Sequence, residues 1–277
     1  MTEAADQLDQ LLTIGAAPAA RAKLQLRGVS RRFGQVQALA KVDLGIAEGE
    51  FVTLIGPSGC GKSTLFNIVA GLLEPDAGGE VLLDGKATSL LGKVAFMPQR
   101  DLLLPWRNVL DNAILAAEVE GRPKRAARET ARAMAADFGL KGFEAHYPQQ
   151  LSGGMRQRVA LMRTFMFDRD LMLLDEPFGA LDALTRAMMQ RWLLDIWSRY
   201  RRTILFITHD IDEAIFLGDR VVVMSARPGS IKLERRIELP RPRDPALLTT
   251  PAFNAIKREL LDAVEEESRK TFAAGVA

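Results

Sequence analysis

In the run Gly56-Pro57-Ser58-Gly59-Cys60-Gly61-Lys62-Ser63-Thr64, the first eight residues fit the pattern G-x-x-x-x-G-K-[ST]. An apolar run, Phe51 to Ile55, precedes them and a helical run, Thr64 to Val69, follows. This is the context in which such a loop binds phosphate. The glycines let the backbone wrap closely round an anion, loop N–H groups and the helix N-terminus point at the β-phosphate, and Lys62 adds a mobile positive charge. Ser63 is the natural ligand for a Mg²⁺ ion beside the phosphates. Cys60 lies inside the loop at a helix N-terminus, where a thiolate is favoured. It reads either as a redox-sensitive thiol or as a small filler whose side chain points away from phosphate.

A second group of residues could act on what the loop holds. Leu171 to Glu176 reads as a buried strand ending in two adjacent carboxylates, which strand alternation sends in different directions. Asp175 can hold Mg²⁺ through its water shell, while Glu176 can face a γ-phosphate and take a proton from the attacking water. Gln99 follows the strand Val94 to Met97, and His209 follows the strand Ile204 to Thr208; carboxyl ends of parallel strands are where ligands are contacted. Gln99 is expected to sense metal and water, and His209 to touch the γ-phosphate. The helix after His209 starts with Asp210 as N-cap, with Glu213 three residues on.

Leu151-Ser152-Gly153-Gly154-Met155 is a different kind of site. Ser152 is a good N-cap, Gly153 and Gly154 permit close backbone approach, and the helix that follows buries Met155, Val159, Met162 and Met166. Its free N–H groups make a second anion site, one that its own domain need not use. That asks for a partner.

Strand signals at Leu24 to Val29, Gly45 to Glu48, Phe51 to Ile55, Val81 to Leu83, Val94 to Met97, Leu171 to Leu174, Ile204 to Thr208 and Val221 to Ser225 must position these groups. Their alternation with helices predicts an α/β fold: a mainly parallel sheet with a smaller antiparallel region from the N-terminal strands. Between Arg107 and Arg169 the strand signal disappears, and helices are predicted around 108–119, 123–138 and 153–167. Residues 1–22 read as a flexible lead-in. Past a break at Pro240 to Pro245, residues 241–277 form a helical tail with Phe253, Ile256, Leu260 and Val264 on one side.

Composition narrows the function classes. Apolar residues make up 48% of the 277, enough for a sizeable core. With 37 Lys plus Arg against 35 Asp plus Glu, the net charge of +2 gives little attraction to nucleic acid. The densest basic stretch, Arg122 to Arg132, spaces Lys124, Arg128 and Arg132 as a solvated helix face. One cysteine excludes an internal disulfide framework and suits a reducing compartment. No apolar run reaches the roughly 18 residues of a membrane span, so a membrane, if served, is served from outside the lipid.

Together and in this order, these elements resemble the nucleotide-binding subunit of ATP-binding cassette (ABC) transporters, over roughly residues 24 to 240. Leu151 to Arg158 is similar to that family's signature motif, Ala180-Leu181-Asp182 to its D-loop, and Phe33 to the aromatic that stacks on adenine, though many relatives carry Tyr there. The resemblance implies a P-loop NTPase (RecA-like) core with an N-terminal antiparallel β subdomain and an inserted helical subdomain at about 100–168, in an ATPase domain spanning 23–240. It implies ATP and Mg²⁺ as cofactors, and two copies head to tail so that Ser152, Gly153, Gly154 and Asp182 of one close over ATP on the P-loop of the other. Met97 to Trp106 and Asp175 to Asp182 look like bacterial importers of the nitrate, sulfonate and taurine branch. The implied partners are integral membrane permease subunits docking at Leu102 to Trp106 and, indirectly, a periplasmic or extracellular solute-binding protein. The implied location is peripheral, on the cytoplasmic face of the bacterial membrane, and no nucleic acid is expected. A soluble ABC ATPase acting on DNA or ribosomes is the competing reading, although those usually carry two cassettes or a long insertion. A small-molecule kinase would leave Leu151 to Met155 unexplained.

Overall fold

The computed structural model describes residues 22–273. Apart from Ala22, the lead-in assigned to residues 1–22 lies outside the described residues. Two long strands, β1 (Ala22–Phe33) and β2 (Val36–Ala47), form an antiparallel hairpin, and β1 pairs on its other side with β4 (Glu80–Leu83), which turns back into β5 (Lys86–Ala87). The expected short strand at Gly45 to Glu48 is thus the end of a strand of 12 residues, whose inward residues Leu39, Val42, Leu44 and Ile46 are buried.

The second sheet carries the chemistry. Its order is β10 (Ile231–Arg236), β9 (Arg220–Met224), β3 (Phe51–Ile55), β8 (Thr203–Ile207), β7 (Leu171–Asp175) and β6 (Ala95–Met97). All neighbours are parallel except β10, which runs antiparallel to β9. Strand β10 has no counterpart among the sequence expectations, because an edge strand reading Ile-Lys-Leu-Glu-Arg-Arg is half exposed and mostly charged.

Both faces of this sheet are covered, so its strands are continuous apolar runs rather than alternating ones. Phe51, Met172, Leu174, Ile204, Phe206, Val221 and Val223 point into one core; Val52, Leu54, Leu171, Leu173, Leu205, Ile207, Val222 and Met224 point into the other. The second core is shared with the antiparallel sheet and with helix α1 (Lys62–Val69), which is held between the two sheets by Leu65, Phe66, Ile68 and Val69. The first core is roofed by helices α2 (Val109–Ala113), α3 (Leu115–Val119), α4 (Lys124–Asp137) and α5 (Gly153–Phe165), all between β6 and β7 in the chain. One helix was expected around 108–119; the chain instead breaks at Ile114 into two single-turn pieces. On α4 the basic residues find acids: Lys124 meets Glu118, and Arg128 meets Asp111 at 2.7 Å.

Helices α6 (Ala183–Tyr200) and α7 (Ile211–Leu217) complete that layer, and the last helix, α8 (Pro251–Ala273), buries Phe253, Ile256 and Leu260 in the same core. Among the described residues no helix is long and apolar enough to cross a membrane.

Candidate functional site

The strand order fixes the site. Reading along the C-terminal ends of β3, β8, β7 and β6 gives, side by side, the phosphate loop, His209, the Asp175–Glu176 pair and Gln99. Four segments far apart in sequence therefore become neighbours along one sheet edge, the place where open α/β sheets bind ligands.

The phosphate loop curls from β3 into α1. Lys62 folds its ammonium back onto the loop's own carbonyls, donating to Gly56 O at 2.8 Å and Pro57 O at 3.0 Å. Gly61 has φ +105°, and a Cβ there would lie 2.6 Å from Leu39 Cδ2, so only glycine lets the loop pass this close under β2. Cys60 is buried, its Sγ 3.6 Å from Lys62 Nζ. Above the loop opens a cleft of about 380 Å³, lined by Ser58 to Thr64 on its floor and by Phe33, Val36 and Ala38 on a wall. Phe33 is 47% exposed, and the Arg31 guanidinium lies 5.1 Å from its ring centroid. A hydrophobic wall over an N–H-rich floor suits a nucleotide, apolar at its base and anionic at its phosphates.

Across from the loop, Ser63 Oγ donates to Asp175 Oδ2 at 3.5 Å. Asp175 is only 6% exposed. Burial first, and the neighbouring Glu176 charge second, push its carboxyl up to about 6, against the opposing pull of the Ser63 hydrogen bond and the Lys62 charge. Two hard oxygen donors, one of them an acid poorly compensated for its charge, are the kind of protein ligand that would hold a Mg²⁺ ion here.

Glu176 sits in the left-handed backbone region at φ +48°, uncommon for a residue with a side chain. Its N–H still donates to Ile207 O at 3.0 Å, so the twist occurs while the strand ladder is intact. Its Oε2 accepts from Gln99 Nε2 at 3.0 Å, and His209 Nδ1 stands 3.4 Å from the same oxygen. Gln99 and His209, which sequence reasoning placed on separate strand ends, thus meet on one carboxylate. The cap expected after His209 forms only in part. Asp210 accepts from Glu213 N at 3.1 Å, but Glu213 is buried and takes its hydrogen bond from Gln190 instead of returning one to Asp210.

Ser152 caps α5 by accepting from Met155 N at 3.2 Å, and Asp182 caps α6 by accepting from Thr185 N at 3.0 Å. The latter hydrogen bond holds the Asp182 carboxyl below its usual range. Neither Ser152, Gly153, Gly154 nor Asp182 lines the phosphate-loop cleft.

Sequence reasoning overlooked a set of organising residues. Arg163, buried on α5, donates to Leu102 O at 2.8 Å and Asp101 O at 2.6 Å, while Arg156 reaches Asp101 Oδ2 at 3.2 Å and Leu151 O at 2.9 Å. Asn112, fully buried, accepts from Leu104 N at 2.8 Å, and its Nδ2 lies 2.9 Å from Arg107 O. These side chains hold the 101–107 loop with Leu102 at φ +44°, leaving Leu102 and Trp106 exposed and turning Leu103 inward. Their only sequence signal is a polar residue on an otherwise apolar helix face.

A model of the family described as ABC transporter matches residues 39–179. An ABC transporter ATP-binding protein of Methanocaldococcus jannaschii is 45% identical over 91% of this chain and 94% of its own length. This chain belongs to the ABC transporter family. It is an ATPase of that family, with the P-loop NTPase fold. The aliphatic sulfonates import ATP-binding protein of Bacillus cereus is 43% identical over 85% of this chain and 92% of its own. Among solved structures, a dimeric ATP-binding cassette in a post-hydrolysis state with ADP and Pi aligns at a TM-score of 0.71, 32% identical, covering 78% of this ABC ATPase and 99% of that chain.

Proposed function

We propose that this ABC ATPase is the energy-coupling subunit of an import system, driving uptake of a small solute through a separate membrane permease. Aliphatic sulfonates are the class favoured by the named relative from Bacillus cereus. The observation that carries the reading is the continuity from hydrolysis to docking. Gln99 touches Glu176, while Leu102 and Trp106, three and seven residues further on, present apolar side chains on a loop clamped by the signature helix.

In this reading ATP lies in the cleft with its base on Phe33 and its phosphates on the loop from Gly56 to Thr64. Ser63 and Asp175 would hold Mg²⁺, which would neutralise phosphate charge. Glu176 accepts the proton of the attacking water, Gln99 orients that carboxylate and the water, and His209 faces the γ-phosphate. The anion site at Ser152 to Gly154, with Asp182 beside it, serves the ATP of a second copy packed head to tail, which accounts for its absence from the chain's own cleft. The complex sits on the cytoplasmic face of the membrane, where the permease meets Leu102 and Trp106 and a separate binding protein delivers the solute from the far side.

The test is extraction of the native protein in mild detergent and identification of what accompanies it. A polytopic membrane protein should co-purify and be lost with Leu102→Ser plus Trp106→Ala. Recovery of ribosomal or DNA partners alone rejects the reading.

A further inference from the structure

We propose that Arg227 is a second cationic ligand of the bound nucleotide, contacting its sugar–phosphate end, and that Glu267 on the C-terminal helix positions it. The inference rests on the cleft above the phosphate loop being the ATP site.

Arg227 stands in Ser225 to Gly229, a segment that is similar to the importer branch but was given no site role from the sequence, and its side chain lines that cleft together with Phe33, Val36 and Ala38. It is carried on the loop after β9, the strand that pairs with β3 on the side away from β8. It therefore occupies the same carboxyl edge as the other site groups, one strand beyond the phosphate loop. Its Nε donates to Gly59 O at 3.2 Å, which sets the guanidinium against the loop while its remaining donors are free of any ion pair among the described residues. Among the described residues, Lys62 and Arg227 are the two cations that line the cleft, against one acid, Glu176. A Mg²⁺-bound triphosphate still carries net negative charge. Lys62, at the loop end beside Ser63, would serve the phosphates nearest the metal once it leaves the Gly56 and Pro57 carbonyls, which leaves the sugar end for Arg227, whose planar fork suits phosphate oxygens and hydroxyls.

The loop that bears Arg227 is fixed on three sides. Gly229 accepts from Ala40 N at 2.9 Å and donates to Ala38 O at 2.9 Å, tying the loop to β2. A Cβ on Gly229 would lie 1.9 Å from Cys60 O, so the loop rests directly on the phosphate loop. On the third side, Glu267 of α8 reaches down to accept from Ala226 N at 2.8 Å. Glu267 is 2% exposed and is itself gripped by Lys232 at 3.0 Å and Lys270 at 2.6 Å. A buried carboxylate that takes one backbone hydrogen bond beside a cleft residue is a positioning group, and it brings the tail helix into contact with nucleotide binding.

The experiment is ATP and ADP binding by titration calorimetry in EDTA and in Mg²⁺, with melting of the nucleotide-free protein alongside. Arg227→Ala should weaken both nucleotides about tenfold, the loss of one charge-assisted contact, with an unchanged melting temperature; Arg227→Lys should recover part of the loss. Glu267→Ala, with Glu267→Gln as the gentler variant, should weaken ATP about threefold in the wild-type background and not at all in Arg227→Ala. Wild-type affinity in Arg227→Ala overturns the ligand assignment. So does a loss of affinity matched by a lower melting temperature, which marks a support for the loop only. Equal losses from Glu267→Ala in both backgrounds overturn the positioning role. If Lys62→Ala also binds ATP normally, the cleft reading itself fails.

Discussion

Gln99 donates its side-chain amide to Glu176 Oε2 at 3.0 Å across 77 residues of chain. The hydrogen bond joins the ends of β6 and β7, and it ties the loop that carries Leu102 and Trp106 to the carboxylate proposed as base. Substituting Glu176→Gln should lower phosphate release by roughly 10²- to 10⁴-fold, the usual worth of a positioned base. ATP should then hold the protein as a dimer on gel filtration. Unimpaired release sinks the assignment.

Gly154→Asp should spare ATP binding to the monomer and abolish hydrolysis, because it puts a carboxylate at the anion site proposed to serve another copy. Leu181 Cδ2 would lie 3.0 Å from the new Cβ, a close fit that leaves Asp182 at risk of a small shift. A milder Ser152→Ala should therefore show the same split in weaker form. Hydrolysis at the wild-type rate by Gly154→Asp removes the composite site from consideration.

The raised carboxyl of Asp175 gives a pH signature. Its folded value of about 6 lies above the roughly 3.9 of an unfolded aspartate, so the native state holds the proton more tightly. Stability from this group is present at low pH and is lost as pH rises from about 4 through about 6. Asp175→Asn should thus be more stable than wild type at pH 7.5 in EDTA, by about 1–2 kcal/mol, while losing Mg²⁺-dependent turnover. Thermal melts at pH 4.5 and 7.5 should show the gap closing at the lower pH; a constant gap contradicts the assignment.

Asn112 is fully buried and satisfies backbone groups of Leu104, Arg107 and Asn108. Asn112→Ala should cost about 2–4 kcal/mol in urea unfolding, since it strands several buried polar groups at once. A surviving fraction should associate poorly with the proposed permease partner, as the loop bearing Trp106 is released. A loss below about 0.5 kcal/mol would show that the loop holds itself.

Much of the candidate site was legible in the sequence because each element advertises itself locally. An apolar run followed by Gly56 to Thr64 needs no tertiary knowledge, and Leu171 to Leu174 has nowhere to go but a buried strand before Asp175. What stayed hidden depends on distance along the chain. Arg163 reads as an ordinary helix residue until Asp101 and Leu102 are brought against it, and Arg227 reads as turn filler until β9 is placed next to β3. Strand β10 hid for a different reason: its charged outer residues pair with acids elsewhere, Lys232 with Glu266 and Arg235 with Glu259, and charge outweighs alternation in a sequence reading.

The order β3-β8-β7-β6 also sets a length scale. Hydrogen-bonded strands stand about 4.8 Å apart, so the three intervals from the phosphate loop to Gln99 amount to roughly 14 Å, a width that a continuous ladder cannot stretch without breaking whole rows of bonds. The sheet edge behaves as a ruler with fixed graduations. Movement during a cycle of binding and hydrolysis is then left to the segments hung from that ruler, among them the 99–107 loop, to which the helix beginning at Gly153 is tied. Because Arg163 and Arg156 bolt that loop to that helix, the two should swing together as a single lever with its fulcrum at Gln99.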